Sequence, residues 1–147
     1  MVETVCSILR RKGGEAWTIS PESTVYDALL MLADRDIGAL LVVESGRLVG
    51  IISERDYARK VILKDKKSKD TTVHEIMATD LVTVTPDHTV DECMRIMTRH
   101  RIRHLPVLEK GKLAGLVSIG DLVNSIISAQ AETINQLSNY IKGKYPA

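Results

Sequence analysis

The sequence is written twice. A shift of 65 residues lays Trp17–Tyr57 over Val82–Leu122 without a gap. Across that window Thr18, Pro21, Thr24, Val25, Leu40, Val42, Gly46, Leu48, Gly50, Ser53 and Asp56 recur as Thr83, Pro86, Thr89, Val90, Leu105, Val107, Gly111, Leu113, Gly115, Ser118 and Asp121. Upstream the likeness continues after an offset change of three residues: Thr4-Val5-x-x-Ile8-Leu9 resembles Thr72-Val73-x-x-Ile76-Met77. Self-similarity at a fixed period means that one supersecondary unit is used twice, each copy leaving an apolar face for the other to cover.

Each copy resolves into the same elements. Thr24-x-x-Asp27 and Thr89-x-x-Glu92 have the spacing of capping boxes, in which the hydroxyl satisfies orphan N–H groups at a helix start. Behind them Val25, Ala28, Leu29 and Leu32, and Val90, Cys93, Met94 and Met97, fall at helical spacing and predict two amphipathic helices. The second ends near Arg101. Apolar runs follow at Ala39–Val43 and Leu105–Leu108, then Gly-containing turns (Glu44-Ser45-Gly46-Arg47 and Glu109-Lys110-Gly111-Lys112). Returning runs at Leu48–Ile52 and Leu113–Val117 complete two β-hairpins. Ser53 and Ser118 end those strands and open another helix. A short first strand is expected at Trp17–Ser20 and at Val82–Thr85. The fold class is therefore α/β (α+β): two β-α-β-β-α repeats packed about a pseudo-twofold axis, because a unit this small leaves too much apolar surface exposed alone.

The division that follows is residues 1–63 for the first repeat with its N-terminal segment, 64–71 for a charged linker, 72–129 for the second repeat, and 130–147 for a helical extension. Lys64 to Asp70 carries no periodic apolar residue. Val123, Ile126, Ile127, Gln130, Ile134, Leu137 and Ile141 recur three or four apart, a stripe longer than one repeat needs. It is expected to fold back or to pack on a second subunit, the second being preferred.

Charge and composition exclude several classes. With 20 basic against 19 acidic side chains, a formal charge of +1, the chain lacks the excess a dedicated nucleic-acid binder uses to neutralise phosphates. No Phe, one Trp and four Tyr make an aromatic base-stacking platform improbable. Cys6 and Cys93 form neither a metal-ligand spacing nor a disulfide framework, and Cys93 falls on an apolar helix face. Met1–Arg11 is too polar for a signal peptide, and no apolar run reaches membrane-span length. The expectation is a cytoplasmic protein with no membrane partner.

Gly50-Ile51-Ile52-Ser53-Glu54-Arg55-Asp56 and Gly115-Leu116-Val117-Ser118-Ile119-Gly120-Asp121 resemble the Gly-h-h-Ser/Thr-x-x-Asp signature of CBS domains, where h is apolar. Thr18-Ile19-Ser20-Pro21, Thr83-Val84-Thr85-Pro86 and Ile102-Arg103-His104-Leu105-Pro106-Val107 are similar to that family's pattern too. The tail through Tyr140, Gly143 and Tyr145 resembles stand-alone bacterial CBS pairs and a plant organellar relative. The resemblance implies a Bateman module that binds an adenosine ligand in clefts between the repeats, and often forms disc-shaped dimers. It also implies that Asp56 and Asp121 hold ribose hydroxyls, that Ser53 and Ser118 reach phosphate, and that Thr18, Thr83, Ile102 and Pro106 line the clefts.

The chemistry suits those positions. A carboxylate can accept from two ribose hydroxyls at once, and a serine at a helix start sits where N–H groups and the helix dipole favour an anion. Gly38 and Ala39 are small enough for a purine to approach the backbone, whereas Arg103 and His104 present charge at the corresponding place. Two unequal clefts are expected, and Gly120 in place of Arg55 widens the difference. Arg99-His100-Arg101-Ile102-Arg103-His104 supplies candidate phosphate partners. Ser53-x-x-Asp56 and Ser118-x-x-Asp121 are equally readable as capping boxes with no ligand.

No phosphate-binding P-loop, no Gly-x-Ser-x-Gly turn and no His-Glu-x-x-His pair is present. His100 and His104 lack a third metal ligand nearby in sequence. The expectation is no enzyme, no catalytic cofactor and no metal site. The chain is expected to be an adenine-nucleotide sensor that signals to an unidentified regulated partner by a change in repeat or dimer geometry. AMP is the first choice of ligand because few basic groups are foreseen in the clefts; NAD and ATP follow. The competing expectation is a constitutive interaction scaffold with vestigial clefts.

Overall fold

The computed structural model of the chain describes residues 3–13 and 16–141. The sequence expectations for residues 142–147, including Gly143 and Tyr145, lie outside the described residues. Among the described residues no helix is long and apolar enough to cross a membrane.

The first half runs α1 (Val5–Lys12), β1 (Thr18–Ile19), α2 (Val25–Arg35), β2 (Ala39–Glu44), β3 (Arg47–Ser53) and α3 (Glu54–Lys60), then a 3-10 turn at Ile62–Lys64. The second half runs α4 (Val73–Ile76), α5 (Val90–His100), β4 (His104–Glu109), β5 (Lys112–Ser118) and α6 (Ile119–Ile141). Helices α2 and α5 begin where their threonines cap them. Thr24 Oγ1 accepts from the Asp27 N–H at 3.1 Å, and Thr89 Oγ1 from the Glu92 N–H at 3.1 Å. Only the Thr89 pair is a full capping box, with Glu92 Oε1 accepting from the Thr89 N–H at 2.9 Å. Both helices stop on a left-handed residue, Asp36 (φ 53°) and Arg101 (φ 55°). Their inward faces are the expected ones: Val25, Ala28 and Leu32, and Val90, Cys93 and Met97.

Both hairpins close with positive φ at two successive residues, Ser45 and Gly46, then Lys110 and Gly111. That is the turn whose twist matches paired antiparallel strands. The copies even share an irregularity, a register shift at Val42/Val43 and at Val107/Leu108. They differ at the first strand. β1 pairs parallel with β2, Leu41 donating its N–H to the Trp17 carbonyl at 3.1 Å. The strand expected at Val82–Thr85 is reduced to a single bridge between Val84 and Val107. Leu41 corresponds to Pro106, which has no N–H to donate, so one rung of the second ladder cannot form.

The upstream helices change sides. α1 precedes the first repeat, yet Val5 and Ile8 are buried with Val90, Cys93, Met97, Leu105, Val107, Val117 and Leu122 of the second. α4 precedes the second repeat, yet Val73 and Ile76 are buried with Val25, Ala28, Leu32, Leu40, Val42 and Ile52 of the first. The exchange is symmetric in its hydrogen bonds. Val5 N donates to His88 O at 2.9 Å and Cys6 N to Pro86 O at 2.9 Å; Val73 N donates to Ser23 O at 2.8 Å and His74 N to Pro21 O at 2.9 Å. The three-residue change of sequence offset is thus the join between a repeat and the helix it lends across the pseudo-twofold axis. Burial of two cores that each need both halves couples the repeats into one folding unit.

The exchange also explains the signature glycines. A Cβ on Gly50 would sit 2.7 Å from Met77 Sδ and 3.0 Å from the Ala78 carbonyl oxygen; one on Gly115 would sit 2.7 Å from Leu9 Cδ2. In each copy the lent segment passes directly over the glycine.

Candidate functional site

A cleft of about 670 Å³ opens where the repeats meet, within the range of small-molecule sites. Gly38, Ile51, Ser53, Glu54, Arg55, Asp56, Arg59 and Lys60 line it from the first half, and Ala78 and His100 to His104 from the second. Each half sends its wall there for a local reason. Ser53 ends β3 and caps α3, which fixes Asp56: the Ser53 N–H and hydroxyl both donate to Asp56 Oδ2, at 2.9 and 3.0 Å. Asp56 Oδ1 faces the Lys60 ammonium at 3.3 Å, and Lys60 also donates to the Ile76 carbonyl at 2.9 Å. Arg55 crosses between repeats, donating to the Arg101 carbonyl at the left-handed end of α5 at 3.3 Å. Ala78 forms an antiparallel bridge with Ile51, each N–H donating to the other's carbonyl.

Five side chains of this wall are cationic: Arg55, Arg59, Lys60, Arg101 and Arg103. The premise that the clefts carry few basic groups does not hold. Arg59 and Lys60 were missed because nothing in the sequence marks them beyond lying three and four residues after Asp56. Ile51, Glu54 and Ala78 were missed too, Ala78 because it reaches the cleft only through the exchange. His104 is half-buried, its Nε2 3.4 Å from where a Gly38 Cβ would stand. Burial pushes its imidazole below the ordinary value, and the nearby Lys12 and Arg103 charges add to that against the pull of Asp121.

Gly38 and Arg103–His104, expected beside separate clefts, share this one. They occupy corresponding positions at the starts of β2 and β4, and such equivalent points meet where they adjoin a twofold axis. Ala39 is buried in β2 opposite Ser53, and Pro106 is buried in β4; neither lines the cleft. Thr18 and Thr83 are exposed and do not line it either. Ile102 does.

The other motif pair stands elsewhere. Ser118 N donates to Asp121 Oδ2 at 2.9 Å, and Asp121 N to Ser118 Oγ at 3.2 Å. The space beside that carboxylate holds the Lys12 ammonium, which donates to Asp121 Oδ2 at 2.8 Å. Burial alone would raise the Asp121 carboxyl; the bonds from Lys12 and Ser118 outweigh it and hold the carboxyl below its ordinary range. Cys93 is a core thiol, pushed up to about 11 by burial with a smaller contribution from Glu92. Among the described residues no cluster of three or more His, Cys, Asp or Glu side chains could hold a metal ion.

Comparison with known proteins places the chain among relatives. Residues 5–63 and 73–128 each match the CBS domain family. The mitochondrial CBS domain-containing protein CBSX3 of Arabidopsis thaliana is 40% identical over 151 residues, covering 97% of this chain and 73% of that protein. A putative signal-transduction protein with CBS domains from Burkholderia ambifaria superposes with a TM-score of 0.83 at 51% identity, over 86% of this chain and 96% of that one. A CBS domain pair solved in complex with 5′-methylthioadenosine and S-adenosyl-L-methionine superposes with a TM-score of 0.77 at 26% identity, over 88% and 99%.

Proposed function

Since the chain belongs to the CBS domain family, we propose that it is a regulatory module holding an adenine nucleotide in the cleft between its repeats. The single observation that carries this reading is the position of Asp56. Asp56 lines the cleft; its Oδ2 is spent on the cap, and its Oδ1 is met among the described residues by one partly exposed lysine. Ribose hydroxyls can take the place of that lysine as donors to Oδ1. The displaced ammonium then lies within reach of a phosphate. Gly38 and Ile102 offer the small and apolar surfaces a purine needs.

AMP is the smallest ligand that meets both the carboxylate and the cations. The ring of Arg55, Arg59, Lys60, Arg101 and Arg103 supports ligands with two or more phosphates at least as well, so NAD and ATP stand beside AMP rather than below it. A relative bound to adenosine-containing ligands fits the same ligand class. Signalling follows from the walls belonging to different repeats: a ligand touching both stabilises one relative placement over others, which is the differential contact a population shift requires. The role is regulatory, with no catalytic step assigned to any residue.

Isothermal calorimetry with AMP, ADP, ATP, NAD and S-adenosylmethionine tests the reading. Saturable heat for at least one phosphorylated adenosine is expected; folded protein giving none at millimolar ligand overturns it. The scaffold alternative gains support at the second motif, where Lys12 already holds Asp121. We therefore assign ligand binding to the Asp56 cleft alone.

A further inference from the structure

Arg55, Arg101 and Arg103 line two spaces at once. Besides the cleft that holds Asp56, they line a second hollow of about 350 Å³, together with Thr98, Met97 and Ile119. The cleft mixes its cations with Asp56 and Glu54, whereas among the described residues no acidic side chain lines the hollow. Ion pairs among the described residues engage Arg11, Lys12, Arg35 and Lys60, and none of these three arginines. Three guanidiniums thus converge on one hollow with no counter-charge from the chain around it. Like charges brought together repel, a cost that an anion bound between them removes.

The repeat does not require them. A side chain that the fold of both copies needs recurs in both, yet the counterparts of Arg55, Arg101 and Arg103 are Gly120, Asp36 and Gly38. Asp36 and Arg101 share the left-handed turn at a helix end (φ 53° and 55°), so the backbone is the same while the charge is reversed. Nor does the helix dipole call for them, since Arg99 and His100 already supply cations in the last turn of α5. The backbone around the hollow is tied down. Arg55 Nη1 donates to the Arg101 carbonyl at 3.3 Å, the Ile102 N–H to the Met97 carbonyl at 3.1 Å, and the Ile119 N–H to the Arg103 carbonyl at 2.8 Å. Guanidiniums carried on a held backbone keep their spacing, and each planar fork matches two oxygens of a phosphate.

We propose that this hollow is a phosphate-group site in its own right, taking pyrophosphate or the distal phosphates of a nucleotide lodged in the adjoining cleft. The first form stands without the nucleotide reading; the second rests on it. A multivalent oxyanion suits the hollow because one ligand can answer three cations together. Its arginines also line the nucleotide cleft, so occupancy of one space alters the charge met in the other.

Thr98 is the handle for the test. It lines the hollow and not the cleft, is exposed, and spends its hydroxyl on the Met94 carbonyl at 2.8 Å. Thr98→Glu places a carboxylate among the arginines, and Thr98→Gln is the neutral control of the same size. The measurement is calorimetry of the full chain with sodium pyrophosphate, AMP and ATP. Saturable pyrophosphate binding is expected, weakened about tenfold or more by Thr98→Glu, retained by Thr98→Gln and unaffected by Asp56→Ala. AMP affinity should stay within about twofold in both Thr98 variants. Where pyrophosphate alone gives no heat, an ATP affinity lowered by Thr98→Glu with AMP unchanged identifies the nucleotide's own phosphates as the occupant. Folded protein that binds no pyrophosphate, and whose ATP affinity is indifferent to Thr98→Glu, overturns the site. So do equal losses in Thr98→Glu and Thr98→Gln, which would reflect bulk instead of charge. Pyrophosphate binding lost in Asp56→Ala would return the anion to the first cleft and overturn it as well. Wild-type protein that binds pyrophosphate and no nucleotide would sink the nucleotide reading and leave this site standing.

Discussion

Lys12 donates to Asp121 Oδ2 at 2.8 Å and to the Leu116 carbonyl at 2.9 Å. The motif carboxylate of the second repeat is therefore neutralised by the helix lent from the start of the chain. Its counterpart Asp56 meets a lysine of its own helix instead, one turn on, at 3.3 Å. The two motif carboxylates each meet one lysine, but from different elements and on different oxygens, because α1 runs to Lys12, whereas its counterpart α4 ends at Ile76 and passes into the extended Met77–Ala78 segment that bridges Ile51.

The aspartates should separate cleanly. Asp56→Ala is expected to weaken nucleotide binding tenfold or more by calorimetry, since hydrogen bonds to a charged group contribute about 1.5–3 kcal/mol. Asp121→Ala should leave affinity within about twofold, a change under 0.5 kcal/mol. Equal losses in both variants would contradict the single-cleft assignment.

Removing the lent cation should cost stability in a pH-dependent way. Lys12→Ala is expected to lower stability by ~1–2 kcal/mol at neutral pH, because the half-buried carboxylate is left with the Ser118 N–H alone. The Asp121 carboxyl is held below its ordinary value of 3.8, so the stability it contributes is present above that pH. It is lost as pH falls through the depressed folded value. Thermal melts of wild type and variant should accordingly converge in strong acid. A gap that stays constant with pH would show that Lys12 acts through packing and not through charge.

His104 gives a second pH handle of opposite origin. Its ring is held below the ordinary 6.5, so the unfolded chain takes up the proton first and the free protein loses stability as pH drops below that value. A phosphate arriving among Arg103, Arg101 and Arg55 would favour the protonated ring. Nucleotide binding should thus raise the imidazole midpoint in an NMR titration and tighten as pH falls from 7 toward 6. An unmoved midpoint would place the phosphates away from this wall of the cleft.

The glycines should rank by what passes over them. Gly50→Ala brings a methyl to 3.0 Å from the Ala78 backbone oxygen, which the Ile51 bridge holds in place. A destabilisation of about 1–3 kcal/mol is expected in urea melts, as for overpacked cores. Gly115→Ala meets the end of the Leu9 side chain, which can rotate aside, so a smaller loss is expected. The reverse order would mean that α1 is held more rigidly than the Met77–Ala78 segment.

Period and pattern alone determined the two repeats, their hairpin turns, the inward faces of α2 and α5 and the α6 stripe. Each of these depends on residues a few positions apart, whose spacing is fixed by helix and strand geometry. The placement of Ser53 and Asp56 at one helix start was legible for the same reason. Only the tertiary structure decided that α1 and α4 change sides, because an apolar Val5-x-x-Ile8 stripe fits either core equally and nothing local records which one it enters. From that exchange follow the glycines under Met77 and Leu9, the ammonium beside Asp121, and the meeting of Gly38 with His104 in one cleft. Long-range proximity of this kind is set by which pair of surfaces excludes water together, a property of the whole packed chain that no window of sequence contains.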